Sequence, residues 1–299
     1  MEPTGRWGMQ YQTRTTTRED GFDTAQGYVR DGLASLRNLE NLLKSPKIGP
    51  RALEKAVAQI HAGCSPFRDA LVSIVDMVGS RKAELPVGSL SDFARDRVDQ
   101  LCHAVSNAAK KDMGAKSRLR LERQITEVLP DLDVVRELID LLDSATYSAP
   151  TELDLNALLW ETLTHRVSPH PNQPEVVPVA LSRAAEGATV WTDARVLMPM
   201  MSIAFGSVAH QGAKQMHVSA ELDEQGGASV LCRRDDDHPA ANLPCVWPRV
   251  VMPSRDVLSV ASALTGVTLS MEPTTVTLRI LPQRSADDLG MAVSNRFLS

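Results

Sequence analysis

The order of extended and helical segments between Leu153 and Pro282 most constrains what this chain can fold into. Runs with an apolar residue at every second position predict strands, and apolar residues three and four apart predict helices. The order is two strands, a helix, two strands, a loop, a helix and a closing hairpin, which predicts an α/β sandwich. The predicted elements are Glu175–Ser182, Thr189–Thr192, Asp193–Gly212, Met216–Asp223, Ala228–Arg233, Ser254–Leu264, Val267–Met271 and Thr275–Leu281.

The stretch before this region predicts helices only. Four long helices with short connections indicate an antiparallel bundle, or a helical hairpin that forms a bundle by dimerising. The last helix ends in a narrow apolar seam of the kind used between paired helices, from which we expect a homodimer. The seam residues are Leu132, Val135, Leu138, Ile139 and Leu142.

The predicted fold class is therefore α+β, with an N-terminal all-α hairpin or bundle followed by an α/β sandwich. Residues 25–148 are the helical region and residues 151–283 are the sandwich. Residues 1–24 and 284–299 have no hydrophobic period, so we expect a disordered tail and a flexible tail there.

Composition and charge exclude several classes of protein. The formal net charge of −5 argues against a nucleic-acid binder. No window approaches about 18 apolar residues without charge, so no segment is expected to span a membrane. The four cysteines form no C-x-x-C pair and have no metal-ligand spacing, which favours reduced thiols in a cytoplasmic protein. We expect neither a metal nor a cofactor.

Two short stretches connect the element order to a known family. Leu153-Asp-Leu-Asn-Ala-Leu-Leu159 follows the seam, and Asp193-Ala-Arg-Val-Leu197 opens the first long helix of the sandwich. Together with the element order, they resemble the ATP-binding domain of bacterial sensor histidine kinases, the GHKL fold, and its junction with the dimerisation hairpin. The resemblance implies two-component signalling. Its implied partners are the receiver domain of a response regulator and, as a further candidate, a histidine kinase.

The residues that bind ATP in that family have changed here. The family's two asparagines fall on Ile203 and Ser207; isoleucine cannot ligate Mg²⁺, and a neutral serine is a weak ligand. The family's Asp-x-Gly-x-Gly motif falls near Asp235 and Asp236, with no glycine, and residues 239–253 replace a glycine-rich lid. The resemblance thus implies a degenerate ATP site without ATP-dependent kinase activity.

One histidine matches the phospho-acceptor motif of the same family. Leu101-Cys-His103-Ala-Val-Ser-Asn107 carries an asparagine four residues after the histidine. A neutral imidazole is a good nucleophile near pH 7. At about 100° per residue, His103 falls opposite an apolar helix face and should be exposed. That face consists of Val98, Leu101, Val105 and Ala108.

The resemblance implies His103 as the acceptor, with Leu101, Ser106 and Asn107 as partner contacts. Where the family has an acidic residue that acts as a base, this chain has Ala104. His61 is a rival acceptor, because a proline follows it five residues later as in the family.

Two functions remain open from these residues. The first is a histidine phosphotransferase similar to the ChpT type, which relays phosphoryl groups to or from a receiver-domain aspartate without autophosphorylation by ATP. The alternative is a non-catalytic pseudo-histidine-kinase that binds and regulates a receiver domain or a true kinase.

Overall fold

The structure is a computed structural model that describes residues 18–81, 88–110, 114–169, 176–224, 227–236 and 243–281. The predicted tail 284–299 and residues 1–17 lie outside these ranges. The helices are α1 (Arg18–Lys44), α2 (Pro50–Arg81), α3 (Gly88–Ala109), α4 (Ala115–Thr146), α5 (Leu155–Thr164), α6 (Ala194–Ala209) and α7 (Ser254–Thr265). The strands are β1 (Thr151–Asp154), β2 (Val176–Ser182), β3 (Thr189–Thr192), β4 (Met216–Leu222), β5 (Ala228–Arg234), β6 (Leu243–Val246), β7 (Val267–Glu272) and β8 (Thr275–Ile280).

Helices α1 to α4 form a closed bundle within one chain. Each helix packs against the next, and α4 packs back against α1. All five seam residues between Leu132 and Leu142 are buried within this one chain. The bundle is therefore the first of the two predicted arrangements. The seam does not need a second chain, so it no longer supports the expected homodimer.

Helix α1 begins earlier than the sequence indicated. Residues 18–24 were expected in the disordered tail, but α1 starts at Arg18. The reason is that Phe22 and Ala25 continue the apolar stripe of the helix and are buried with Val29 in the bundle core. Helices α2 and α4 run on through Pro66 and Pro130.

The second half is a mixed sheet with helices packed on it. Its strand order is β6-β2-β4-β5-β8-β7, and only the β2–β4 pair is parallel. Helix α6 packs on β5 and β8, while α7 packs on β7. Strands β1 and β3 form a separate antiparallel pair. The predicted α+β fold class is confirmed.

Strand β6 was not predicted, because it lies in the proline-rich connection 239–253. Val246 N donates to Arg166 O (2.8 Å), on the side away from β2. The nitrogen of Pro244, two residues earlier in the strand, faces the same side. The missing N–H of Pro244 therefore costs the β2–β6 ladder nothing, and a proline is tolerated in this edge strand.

The bundle and the sheet half share one continuous core. Helix α4 packs on α6 and α7, and the buried residues of both halves belong to a single cluster. Polar links among the described residues also cross the junction, including Ala149 N to Asp193 (2.9 Å), Ser89 to Asp256 (2.9 Å), and Arg166 with Glu137 (3.3 Å). Every helix among the described residues is too short or too polar to cross a bilayer.

Candidate functional site

His103 lies on the outer face of α3, near the end of the bundle farthest from the sheet. Its imidazole is exposed, whereas the predicted inner face of α3 is buried throughout. Asn107, one turn further along, is also exposed, and its amide nitrogen lies 3.1 Å from His103 Nδ1 and 3.4 Å from Nε2. The structure therefore brings together an accessible imidazole and an amide that contacts it.

The amide of Asn107 can select the tautomer of His103. An amide N–H donates to a ring nitrogen that carries a lone pair, whereas the amide oxygen accepts from a ring N–H. The structure has the amide nitrogen, rather than Oδ1, beside the ring. Rotation of the amide by 180° would bring Oδ1 to Nδ1–H and leave the lone pair of Nε2 free to attack an electrophile such as a phosphoryl group.

Three neighbours of His103 differ in what they can contribute. Ser106 is half-buried and lies at the edge of the exposed face. Leu101 is only 1% exposed, so its expected role as a partner contact is wrong, because the side chain packs inside the bundle. Ala104 is 3% exposed, and its methyl group cannot act as a base.

The rival His61 is exposed on α2. Within the described part of the chain, its side chain makes no hydrogen bond, in contrast to His103. Exposure alone therefore does not choose between the two histidines, and the Asn107 contact is what distinguishes His103.

The two positions matched to the family's asparagines are inside the sheet half. Ile203 and Ser207 are both buried on α6. The hydroxyl of Ser207 donates to Ala204 O (2.6 Å) in the same helix. Because both side chains are buried, neither is presented at the surface to a nucleotide phosphate.

The chain itself covers α6 next to these positions. The Trp247 ring packs edge-on against Phe205, with the ring centroids 5.7 Å apart. A β-carbon at Gly206 would lie 2.7 Å from Pro248 O. His210 Nε2 lies 3.0 Å from that same oxygen, so its N–H donates there. The segment after β6 therefore seals this part of the helix.

Asp235 and Asp236 are engaged at the end of β5. Asp235 pairs with Arg233 (3.3 Å), and Asp236 accepts from Arg234 Nε (2.6 Å) and Lys214 N (2.9 Å). The hydrogen bond from Arg234, with that from Lys214 N, lowers the pKa of Asp236 despite partial burial. Both carboxylates thus serve local structure.

Sequence reasoning missed a cleft beside His103. Three residues of α3 and five of α4 line it, with a cavity volume of about 270 Å³. Asn107, which contacts His103, is shared by the cleft, and Lys116 and Arg120 form its cationic wall. The available signal was the spacing of cations between Lys116 and Arg123, which places them on one side of α4. The lining residues are Ala104, Asn107, Ala108, Lys116, Ser117, Arg120, Leu121 and Gln124.

Among the described residues, no group of three or more His, Cys, Asp or Glu side chains could hold a metal ion.

No protein-family model matches this chain, and no curated protein matches it. The chain is similar in structure to the Acinetobacter baumannii histidine kinase AdeS, with 13% identity and a TM-score of 0.43 over 64% of this chain and 97% of that one. It is also similar to the Erythrobacter litoralis EL346 blue-light activated histidine kinase, with 13% identity and a TM-score of 0.34 over 57% of this chain and 64% of that one. A third similar structure is a histidine kinase from Burkholderia phymatum STM815, with 14% identity and a TM-score of 0.30 over 64% of this chain and 97% of that one. At these identities and TM-scores, the functional proposals depend on the chain's own contacts.

Proposed function

We propose that this chain is a cytoplasmic two-component signalling protein, a histidine phosphotransferase that relays phosphoryl groups to or from a receiver-domain aspartate through His103. The observation that carries this proposal is the exposed imidazole of His103 in contact with Asn107. An acceptor must meet the aspartyl phosphate of another protein, and His103 stands clear of the buried face of α3.

The transfer requires little from this chain beyond that geometry. Nε2 of neutral His103 attacks the phosphorus, the bond from phosphorus to the aspartyl oxygen breaks, and the carboxylate leaves with the electron pair. The ring then carries a positive charge and retains its proton on Nδ1. Asn107 stabilises that charge once its amide has turned so that Oδ1, in place of the amide nitrogen, accepts from Nδ1–H. The reverse transfer uses the same contacts.

Transfer without ATP is supported by the structure of α6. Ile203 and Ser207 are buried, and the segment from Trp247 to Pro248 packs where the family resemblance would put nucleotide. We infer that the sheet half serves as a degenerate GHKL domain with a structural role.

A non-catalytic pseudo-histidine-kinase is the second candidate. It is favoured by Ala104, which is buried and leaves the family's base position without a functional group. Such a protein would bind a receiver domain or a true kinase and alter its signalling without carrying phosphate. It would use the same exposed face of α3.

The homodimer remains part of the proposal only through another surface of the helical region. The seam from Leu132 to Leu142 is buried within the chain, so a dimer would need other contacts. Light scattering at micromolar concentration tests this directly: a mass near 65 kDa supports a dimer, and the chain mass of 32.6 kDa excludes one.

The deciding experiment measures the transfer of labelled phosphate to this chain from a panel of receiver domains that carry the phosphate on their aspartate. We expect acid-labile label on the wild type and on His61→Ala, and a loss of at least about 100-fold in rate for His103→Ala, because the nucleophile is removed. Asn107→Ala should retain transfer at about a tenth of the rate.

Each alternative has its own result in that experiment. Label that survives in His103→Ala but disappears in His61→Ala would assign the acceptor to His61. Receiver binding without label on any variant would refute the phosphotransferase and select the pseudokinase.

A further inference from the structure

Cationic side chains gather at one end of the bundle, although the chain as a whole is acidic. The sequence has 32 Lys and Arg against 37 Asp and Glu. Six exposed cations nevertheless lie where α2 and α4 begin, and we call this surface the basic end. Its members are Lys47, Arg51, Lys55, Lys116, Arg120 and Arg123. Glu54 is the acidic residue within the α2 group, and Glu122 is the acidic residue within the α4 group.

Arg118 fixes the arrangement of this end. Its guanidinium donates to Leu43 O (2.8 Å) and Ser45 O (2.6 Å), the last carbonyls around the end of α1. The start of α4 is therefore held against the connection between α1 and α2. The two groups of cations consequently belong to one end of the molecule rather than to unrelated surfaces.

The α4 cations of the basic end differ from other arginines of the bundle in their pairing. Arg97 of α3 pairs with Asp131, and Arg37 of α1 pairs with Asp133. Both aspartates lie further along α4. Among the described residues, no carboxylate pairs with Lys116, Arg120 or Arg123. Exposed cations without internal partners raise the local positive potential and are available to an external anion.

The cleft connects this surface to His103. Lys116 and Arg120 face Asn107 across about 270 Å³, and Asn107 contacts the imidazole. A group carrying negative charge that enters the cleft therefore approaches the acceptor nitrogen while it is surrounded by cations.

We infer that the basic end is the docking surface for the carboxylate-rich face of a receiver domain that carries the phosphorylated aspartate. The inference rests on the proposed function and deepens it, because it names the surface on which the partner binds. Lys116 and Arg120 bind the partner's carboxylates and phosphoryl oxygens, and the remaining cations accelerate the encounter.

A protein partner suits this surface better than a lipid bilayer does. The exposed large apolar side chain of the α4 segment is Leu119, which is 49% exposed, whereas a membrane-binding helix usually presents a continuous apolar face. The cleft is also concave and lies to the side of the bundle, so a flat bilayer would not reach Asn107.

The test is the binding of receiver domains, held in the phosphorylated-like state with beryllium trifluoride, to full-length variants. The basic-end variant is Lys116→Glu, Arg120→Glu, Arg123→Glu. The charge-matched control is Arg249→Glu, Arg255→Glu, Arg279→Glu, whose positions are exposed in the sheet half. At 50 mM NaCl we expect Kd to rise at least about tenfold for the first and less than about twofold for the second. The difference should shrink at 1 M NaCl, because salt screens exposed charges.

The outcomes separate this inference from the proposed function. Unchanged receiver binding by the basic-end variant, or equal loss in the control, overturns the docking surface even if His103 carries label. Binding that depends on the basic end while no histidine takes label supports the surface and refutes only the phosphotransfer. Loss of binding to vesicles with anionic lipid, with receivers unaffected, would overturn the inference in favour of a membrane surface.

Discussion

At the scale of single residues, Asp193 connects the two halves. Its carboxylate accepts from Arg195 N at the start of α6 and from Ala149 N after the bundle, and it pairs with Arg195 Nη2 (2.7 Å). Burial alone would raise the pKa of Asp193, but the hydrogen bonds from Arg195 and Ala149 outweigh it, and the pKa is lowered.

The stability contribution of Asp193 should therefore depend on pH. A lowered pKa in the folded chain stabilises it at pH values above the unfolded pKa of about 3.9, and the contribution is lost as pH falls through the folded value. We expect Asp193→Asn to lower the free energy of unfolding by about 1–2 kcal/mol at pH 7, and by less below about pH 4. Urea unfolding across pH measures this; Asp31→Asn, at an exposed position, is the control.

A constant difference between Asp193→Asn and wild type from pH 7 to pH 3 would contradict the linkage. It would mean that the carboxylate contributes through shape rather than charge.

The four cysteines should react in two classes. Burial raises the pKa of Cys232, and it raises the pKa of Cys245 to about 12. The Cys102 thiol, whose Sγ lies 3.6 Å from Cys64 O, lowers the pKa of Cys64 by hydrogen bonding and has its own pKa raised. Since the thiolate is the reactive form, alkylation at pH 8 should modify Cys64 first.

Peptide mapping after iodoacetamide treatment checks this order. Cys232 and Cys245 should react only when the chain is unfolded in urea, and equal rates for all four thiols in the native chain would refute the assignment.

The exposure of His103 could be predicted from the sequence, because helix geometry fixes which side chains share a face. The same geometry placed Leu101 on the buried face, so naming it as a partner contact conflicted with the pattern itself. The cleft could not be predicted, since Asn107 and Lys116 meet only after α3 and α4 pack together.

At the scale of elements, the contact between α6 and the segment after β6 depends on a glycine. A β-carbon at position 206 would lie 2.7 Å from a backbone oxygen, which cannot rotate away as a side chain would. We expect Gly206→Ala to destabilise the chain by about 1–3 kcal/mol through overpacking. The matched control is Gly63→Ala inside α2, where the added methyl meets nothing within 4 Å.

Denaturant midpoints measure both variants. Gly63→Ala should be neutral or stabilising by up to about 1 kcal/mol, because alanine favours helix. A Gly206→Ala chain as stable as the wild type would mean that the segment after β6 is not packed on α6 as described.

The sequence predicted helices well because their apolar stripes are long and regular. Strands β1 and β6 escaped prediction for different reasons. The sequence Thr151-Glu-Leu-Asp154 is short and mostly exposed, and pairs only with β3. β6 contains a proline that becomes acceptable only once its neighbours on both sides are known.

At the scale of the whole molecule, the apolar seam of α4 could not show whether the helices that cover it belong to the same chain or to a second one. An apolar stripe predicts that a partner helix covers it, but the pattern is the same whether that helix belongs to the same chain or to another. Here α1, α2 and α3 complete the bundle. The connection between helices, rather than the stripe, decides the arrangement.

Because the two halves share one core, we expect them to unfold together. Removing residues after Ser148 would expose the face of α4 that packs on α6 and α7. Calorimetry of the full chain should give one transition with equal calorimetric and van't Hoff enthalpies. Two resolved transitions would show that the junction contributes little to stability.

A bundle completed by one chain has a consequence for stoichiometry. A symmetric pair of hairpins presents every helical face twice, so a partner can gain avidity by engaging both copies. In this chain, α3 and its exposed histidine occur once per bundle, as does the cleft beside them. Occupancy of that face should then follow a simple one-to-one isotherm, in which the response is graded with partner concentration rather than cooperative.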